Sequence, residues 1–276
     1  MKKAIIVSLV LCFHSVFAET KEIPPREMRG FETVFEAHNQ KLGFHVFGTS
    51  MLKSGQLLKE ATVEVPDMKK YKILSVWLFW SGVIGKDYKN INKIIFVDPQ
   101  KKKHFIESKK IKLAQDIYAC FSDVTALFSG QGKYGVEGLF SETYENAGWA
   151  MAVVYEDQEA AKNSSIIIKA GVARLKPGEL YYMKLTEGKE KYFASKISLI
   201  GGHAIPGNGS SSLLNDRALG MKGDWDGSSG EKWDIDTFDI INYKIEAHPQ
   251  VILTIDPLLQ WIFPVAFILK TELVKD

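Results

Sequence analysis

Trp149-Ala150-Met151-Ala152-Val153-Val154-Tyr155 decides how this chain is read. Successive side chains of a β-strand point to opposite faces. Trp149, Met151, Val153 and Tyr155 then share one face, and Ala150 and Ala152 occupy the other, so the strand is packed closely on both sides. Ile73-Leu74-Ser75-Val76-Trp77-Leu78-Phe79-Trp80 is apolar on both faces and belongs at the centre of a sheet.

Outward from these two stretches the same texture continues. Short apolar runs at residues 42–47, 61–65, 71–80 and 93–97 precede residue 149, and runs at 165–169, 180–185, 195–200, 238–245, 251–255 and 262–269 follow it. Many are β-branched and aromatic, and Gly, Pro, Asn, Asp and Lys clusters separate them. No strand alternates with a long amphipathic helix, which disfavours a parallel α/β sheet. The reading is all-β: an antiparallel two-sheet sandwich or jelly-roll-like form with one or two short helices. Ser122-Asp123 before Val124 supports one helix, stopped by Gly130, and residues 27–39 suggest another. Pro264 inside the last run requires a sheet edge or a bulge. Gly130-Gln131-Gly132-Lys133-Tyr134-Gly135 lacks the spacing of a phosphate-binding loop and reads as a hairpin loop.

The first 18 residues, MKKAIIVSLVLCFHSVFA, carry two lysines, an apolar run and a small-residue site ending at Ala18. That is the form of a secretory signal, and the run is too short for a membrane span. The expected layout is a signal peptide at 1–18, a short leader at 19–29 and a single β-sandwich domain at 30–276. The expected location is exported: periplasmic, cell surface or extracellular. The 35 basic and 33 acidic residues become 33 and 33 once Lys2 and Lys3 are removed with the signal, which argues against a nucleic-acid partner. No transmembrane segment is expected in the mature chain. Cys12 also leaves, so only Cys120 remains, in the apolar run Ile117-Tyr118-Ala119-Cys120-Phe121 where a thiol is inert packing.

Catalytic signatures are missing: there is no G-x-S-x-G, no Walker loop and no H-E-x-x-H. The five mature histidines show no zinc-type spacing. The richest cluster is Asp224-Trp225-Asp226-Gly227, followed by Asp234-Ile235-Asp236-Thr237-Phe238-Asp239. Asp224, Asp226, Asp234 and Asp236 are hard oxygen donors and hence calcium candidates, although the EF-hand spacing is absent. Turn chemistry is the stronger reading: backbone N–H groups offset the crowded carboxylates, and the turn delivers Phe238 into the core. No other cofactor is expected.

Several strings occur together in order: residues 43–52, 61–66 and 73–82, then Phe121-Ser122-Asp123-Val124-Thr125, residues 148–156, residues 234–240 and Phe263-Pro264-Val265-Ala266-Phe267. Together they resemble a poorly characterised β-rich module of exported bacterial adhesin-like surface proteins. That resemblance implies binding, adhesion or a structural role at the cell surface, with a protein or glycan ligand, and it supplies no catalytic residues. Two alternatives stand beside it. One is a secreted carbohydrate-active hydrolase using the loop carboxylates. The other is a self-assembling subunit of a surface fibre.

Overall fold

The computed structural model describes residues 24–85, 90–186, 191–207, 209–220, 223–240 and 247–273; the stretch expected as a signal peptide, Lys222 and residues 241–246 lie outside them. The first strands are β1 (Arg26–Glu27), β2 (Glu32–Gln40), β3 (Leu42–Ser50), β4 (Leu52–Lys53), β5 (Gln56–Leu57), β6 (Glu60–Val65) and β7 (Lys72–Val83). Next come β8 (Lys93–Val97), β9 (Lys103–Glu107), β10 (Ile111–Ala114), β11 (Ile117–Asp123), β12 (Gly132–Glu137), β13 (Ala147–Glu156) and β14 (Ser164–Ala170). The last are β15 (Tyr181–Lys184), β16 (Tyr192–Gly202), β17 (Ser211–Leu214), β18 (Arg217–Ala218), β19 (Trp233–Asp239), β20 (Ile252–Asp256) and β21 (Phe263–Leu273).

These strands form four main sheets and the small β4-β5 hairpin. A first outer sheet, β6-β12-β8-β9, covers a first inner sheet, β10-β11-β7-β13-β3. A second inner sheet, β19-β16-β21-β14-β2, is covered by a second outer sheet, β1-β15-β20-β17-β18. The two inner sheets pack on each other through a third apolar cluster. The all-β antiparallel reading holds, and the sandwich is doubled: two sandwiches share a central seam. The one parallel pair among the described strands is β1 with β15, so part of the span expected as a leader joins a sheet, and Met28 is buried beside it.

β13 explains the doubling. Its large face, with Trp149, Met151 and Val153, fills the first sandwich, while Ala150 and Ala152 face the seam. Small residues on one face let a second sheet approach closely. Gly148 makes the point sharper, since a Cβ there would sit 2.1 Å from the Trp233 ring. Trp233, fully buried on β19, occupies the volume that Gly148 leaves open. Pro264 sits at a bulge as required: the β16–β21 register shifts between Ile200 and Gly201, letting a proline occupy a central strand.

Three expectations are corrected. Residues 27–39 form no helix; β2 runs antiparallel to β14 with two register shifts. Those bulges break the alternation of Val34, Phe35 and Ala37, which pack into the seam with helix-like spacing. Gly132–Glu137 is strand β12 in place of a hairpin loop, with Tyr134 and Val136 buried on its inner face. The helix expected after Ser122-Asp123 is a single 3₁₀ turn, Thr125–Leu127, and Asp123 Oδ1 accepts from Thr125 N–H and its hydroxyl.

Candidate functional sites

The acidic segment lies in the loop between β18 and β19 and along the first half of β19, an edge strand. Asp234 and Asp236 are two residues apart on one face, directed with Phe238 toward the core of the second sandwich. Asp224 is buried, and its Oδ2 accepts the Ser212 N–H at 2.6 Å. Asp226 Oδ1 accepts the Ser228 N–H at 2.9 Å. Asp234, only 1% exposed, accepts from the Ser228 N–H and hydroxyl through Oδ1. The turn reading is thus realised: N–H and O–H donors meet three of the four carboxylates, and Phe238 packs against the second core. Trp225 lies fully buried behind them, its indole N–H donating to the Ser212 hydroxyl.

Asp236 completes the cluster differently. Burial pushes the Asp236 carboxyl strongly up, and the charges of Asp234, Asp226 and Asp224 add to it. Burial also raises Asp234, against the hydrogen bond from Ser228. Asp234 Oδ2 meets no N–H or O–H donor in the described structure, and the neighbouring Asp236 carboxyl supplies one only when protonated. Burial and mutual repulsion therefore both push the pair toward keeping a proton. Among the described residues, no three Asp, Glu, His or Cys side chains are arranged to hold a metal ion. Asp239, the fifth aspartate, lies at the far end of β19 opposite Lys196.

Other groups fall elsewhere. The Cys120 sulfur is buried against the Ile91 carbonyl, and burial pushes the thiol up to about 12, so it stays protonated and inert. The histidines bond to separate partners: His38 to Glu36, His45 to the Tyr155 hydroxyl, His104 to Asp98, and His248 to the Gln250 carbonyl. His203 Nδ1 lies 3.2 Å from the Trp261 carbonyl and Nε2 3.8 Å from Glu145, with the ring against Phe263. Beside it the Arg174 guanidinium bonds Asp116 at 2.7 Å and covers the Trp261 ring. These contacts latch the two sandwiches together at one end of the seam.

Sequence reasoning missed two grooves. One, of about 220 Å³, crosses β2 and β14 where the second outer sheet stops, among Thr33, Ser165, Lys169 and Thr271. The larger, of about 400 Å³, lies on the outer face of the first outer sheet. Thr62, Gly135 and Val97 form its floor, one row across β6, β12 and β8. Lys101, Pro99 and Lys133 stand at one end, with Glu60 and the Lys103–Glu137 ion pair toward the other. Asp98, held low by its hydrogen bond to His104, anchors the hairpin tip through the Gln100 and Lys102 N–H groups. Phe105, two residues from Lys103 on the same face of β9, is 86% exposed. The one sequence feature at this place is the run Lys101-Lys102-Lys103-His104 after Asp98-Pro99-Gln100, a charged tip between β8 and β9.

No family model matches this chain, and no curated protein matches it. Two crystal structures of BuGH86 in complex with neoagarooctaose, one of them the wild type, each align over 90% of this chain. They do so at 8% identity and a TM-score of 0.26, and the alignment spans 35% of those chains, about a third of their length. The cryo-EM structure of the Sputnik virophage aligns over 99% of this chain and 91% of that chain, at 7% identity and a TM-score of 0.23. Similarity this slight carries neither a fold nor an activity over to this chain. Among the described residues no helix is long and apolar enough to cross a membrane.

Proposed function

We propose that this protein is an exported module of the cell surface that binds a glycan across the outer face of its first outer sheet. One observation carries the reading: a charged, hydroxyl-bearing groove lies beside the fully presented ring of Phe105. Sugars offer hydroxyls to charged side chains and apolar ring faces to aromatics, and this face supplies both. The order of strings resembling adhesin-like surface modules, and the signal-like first 18 residues, support the same placement. Mass spectrometry of the native protein is expected to find Glu19 at the N-terminus. A glycan array is expected to give hits that weaken about tenfold in Phe105→Ala and are lost in Lys133→Glu with Lys101→Glu. Hits unchanged in both variants would remove the groove from the account.

A hydrolytic reading rests on the proton shared by Asp234 and Asp236, since a carboxyl held neutral at pH 7 is suited to general-acid work. Turnover of chromogenic glycosides, abolished in Asp236→Asn, would favour it over binding alone.

A further inference from the structure

β10 is the outermost strand of the first inner sheet, bonded to β11 on one side and to no strand among the described residues on the other. Free edges are usually blunted by a bulge, a proline or an inward charge. β10 has neither bulge nor proline, and its one charge, Lys112, is turned behind the sheet to Glu32; Ile111-Lys112-Leu113-Ala114 pairs with β11 in an unbroken four-residue register. Ile111 and Leu113 lie opposite Cys120 and Tyr118, whose side chains are buried in the first core. The core row therefore runs out to this edge, where Ile111 is 42% and Leu113 60% exposed.

The ends of the strand carry opposite charge. Lys109 and Lys110 precede it, Lys110 bonded to Glu32, and Asp116 follows it, half exposed beside Arg174. Laid antiparallel against itself about an axis through Lys112, the segment places Ile111 opposite Leu113 of the second copy, twice. The same register sets Lys109 opposite Gln115 of the second copy, next to its Asp116. Apolar cross-strand pairs and complementary ends both favour this alignment. Its one cost is Lys112 facing its own copy. That side chain lies on the opposite face from Ile111 and Leu113, 3.0 Å from the Glu32 carboxylate, which it shares with Lys110 and which offsets part of the charge.

We propose that β10 is a self-pairing edge, through which two copies of this chain join antiparallel and extend the first inner sheet from five strands to ten. A two-fold contact of this kind closes on itself. It makes a dimer, and it departs from the open fibre considered for this chain. The groove on the first outer sheet plays no part in it, so either proposal can fail alone.

Sedimentation of the intact protein from about 1 μM to 1 mM tests it. A monomer–dimer equilibrium is expected, weakened at least about tenfold by Leu113→Glu, an exposed position whose thermal melt should stay that of the wild type. Lys112→Cys should oxidise to a covalent dimer, because the two copies of residue 112 face each other across the axis, and Cys120 is too buried to compete. A protein monomeric throughout overturns the proposal. So does a dimer indifferent to Leu113→Glu that leaves Lys112→Cys unlinked.

Discussion

The two sandwiches solve the same problem with different materials. The first fills its core with Trp80, Trp149, Phe96 and Tyr134, and the carboxylates of its strands pair at the surface, as Glu137 with Lys103 and Glu156 with Lys72. The second closes its core with a loop that buries Asp224 and Asp234 beside Trp225, Ser212 and Gln260. Apolar packing is indifferent to pH, whereas buried carboxyls are not. One half of the molecule thus meets proton concentration at its rim, where Asp98 bonds His104, and the other meets it inside the core.

The largest effects come from cutting each core. Trp149→Ala in the first sandwich and Leu253→Ala in the second are each expected to cost about 2–5 kcal/mol by denaturant melts. Gly148→Ala tests the seam between them: its Cβ meets a rigid buried indole, so about 1–3 kcal/mol of overpacking strain is expected. A Gly148→Ala protein as stable as the wild type would mean that the sheets slide freely past each other.

The pH response comes next. The folded chain keeps a proton on the Asp234–Asp236 pair that the unfolded chain releases near its ordinary value of 3.8. Between that value and about 8, the folded state binds more protons, so stability falls as pH rises, and below the lower limit this contribution is complete. Asp236→Asn should flatten the slope and raise stability at pH 8.5 by about 1–2 kcal/mol, since solvent screens this part-exposed group. Thermal melts from pH 4 to 9 read the difference, and an equal slope in both proteins would break the contrast between the halves. With the shared proton and Ser228 satisfying the cluster, millimolar calcium is expected to leave the melting temperature at pH 6 unchanged from EDTA. A rise lost in Asp234→Asn would make the site a calcium site. The smallest effect is kinetic: Cys120 should label slowly in native buffer and fully in denaturant.

Much of this was legible from residues alone. Alternation in residues 149–155 placed β13 and its two faces, and Pro264 announced the bulge that the β16–β21 register contains. The doubling of the sandwich was not legible, because Ala150 and Ala152 say that a neighbour comes close without saying which sheet it belongs to. β2 was misread because two bulges spaced its apolar residues like a helix. Of the four aspartates singled out, the sequence indicated their crowding and the solution by N–H donors. It gave no sign that Asp234 and Asp236 share a proton, since that depends on burial beneath a loop that closes over them. The groove on the first outer sheet is assembled from three strands 30 to 40 residues apart, and no local pattern reports such a surface.

β2 and β3 are neighbours in sequence yet belong to different inner sheets, the chain crossing between them at Lys41. The Leu42 N–H is held by the Ser164 hydroxyl, 122 residues further on. A chain made from its N-terminus onward therefore produces β2 long before β14 exists to pair with it. Residues 42–156 contain every strand of the first sandwich and can collapse first, leaving β2 waiting as an unpaired ribbon with Val34 and Phe35 uncovered. Closure of such a distant pair is slow, and the interval is when the ribbon is most able to join the wrong partner. The order of synthesis, more than the final stability, sets the hazard this architecture carries.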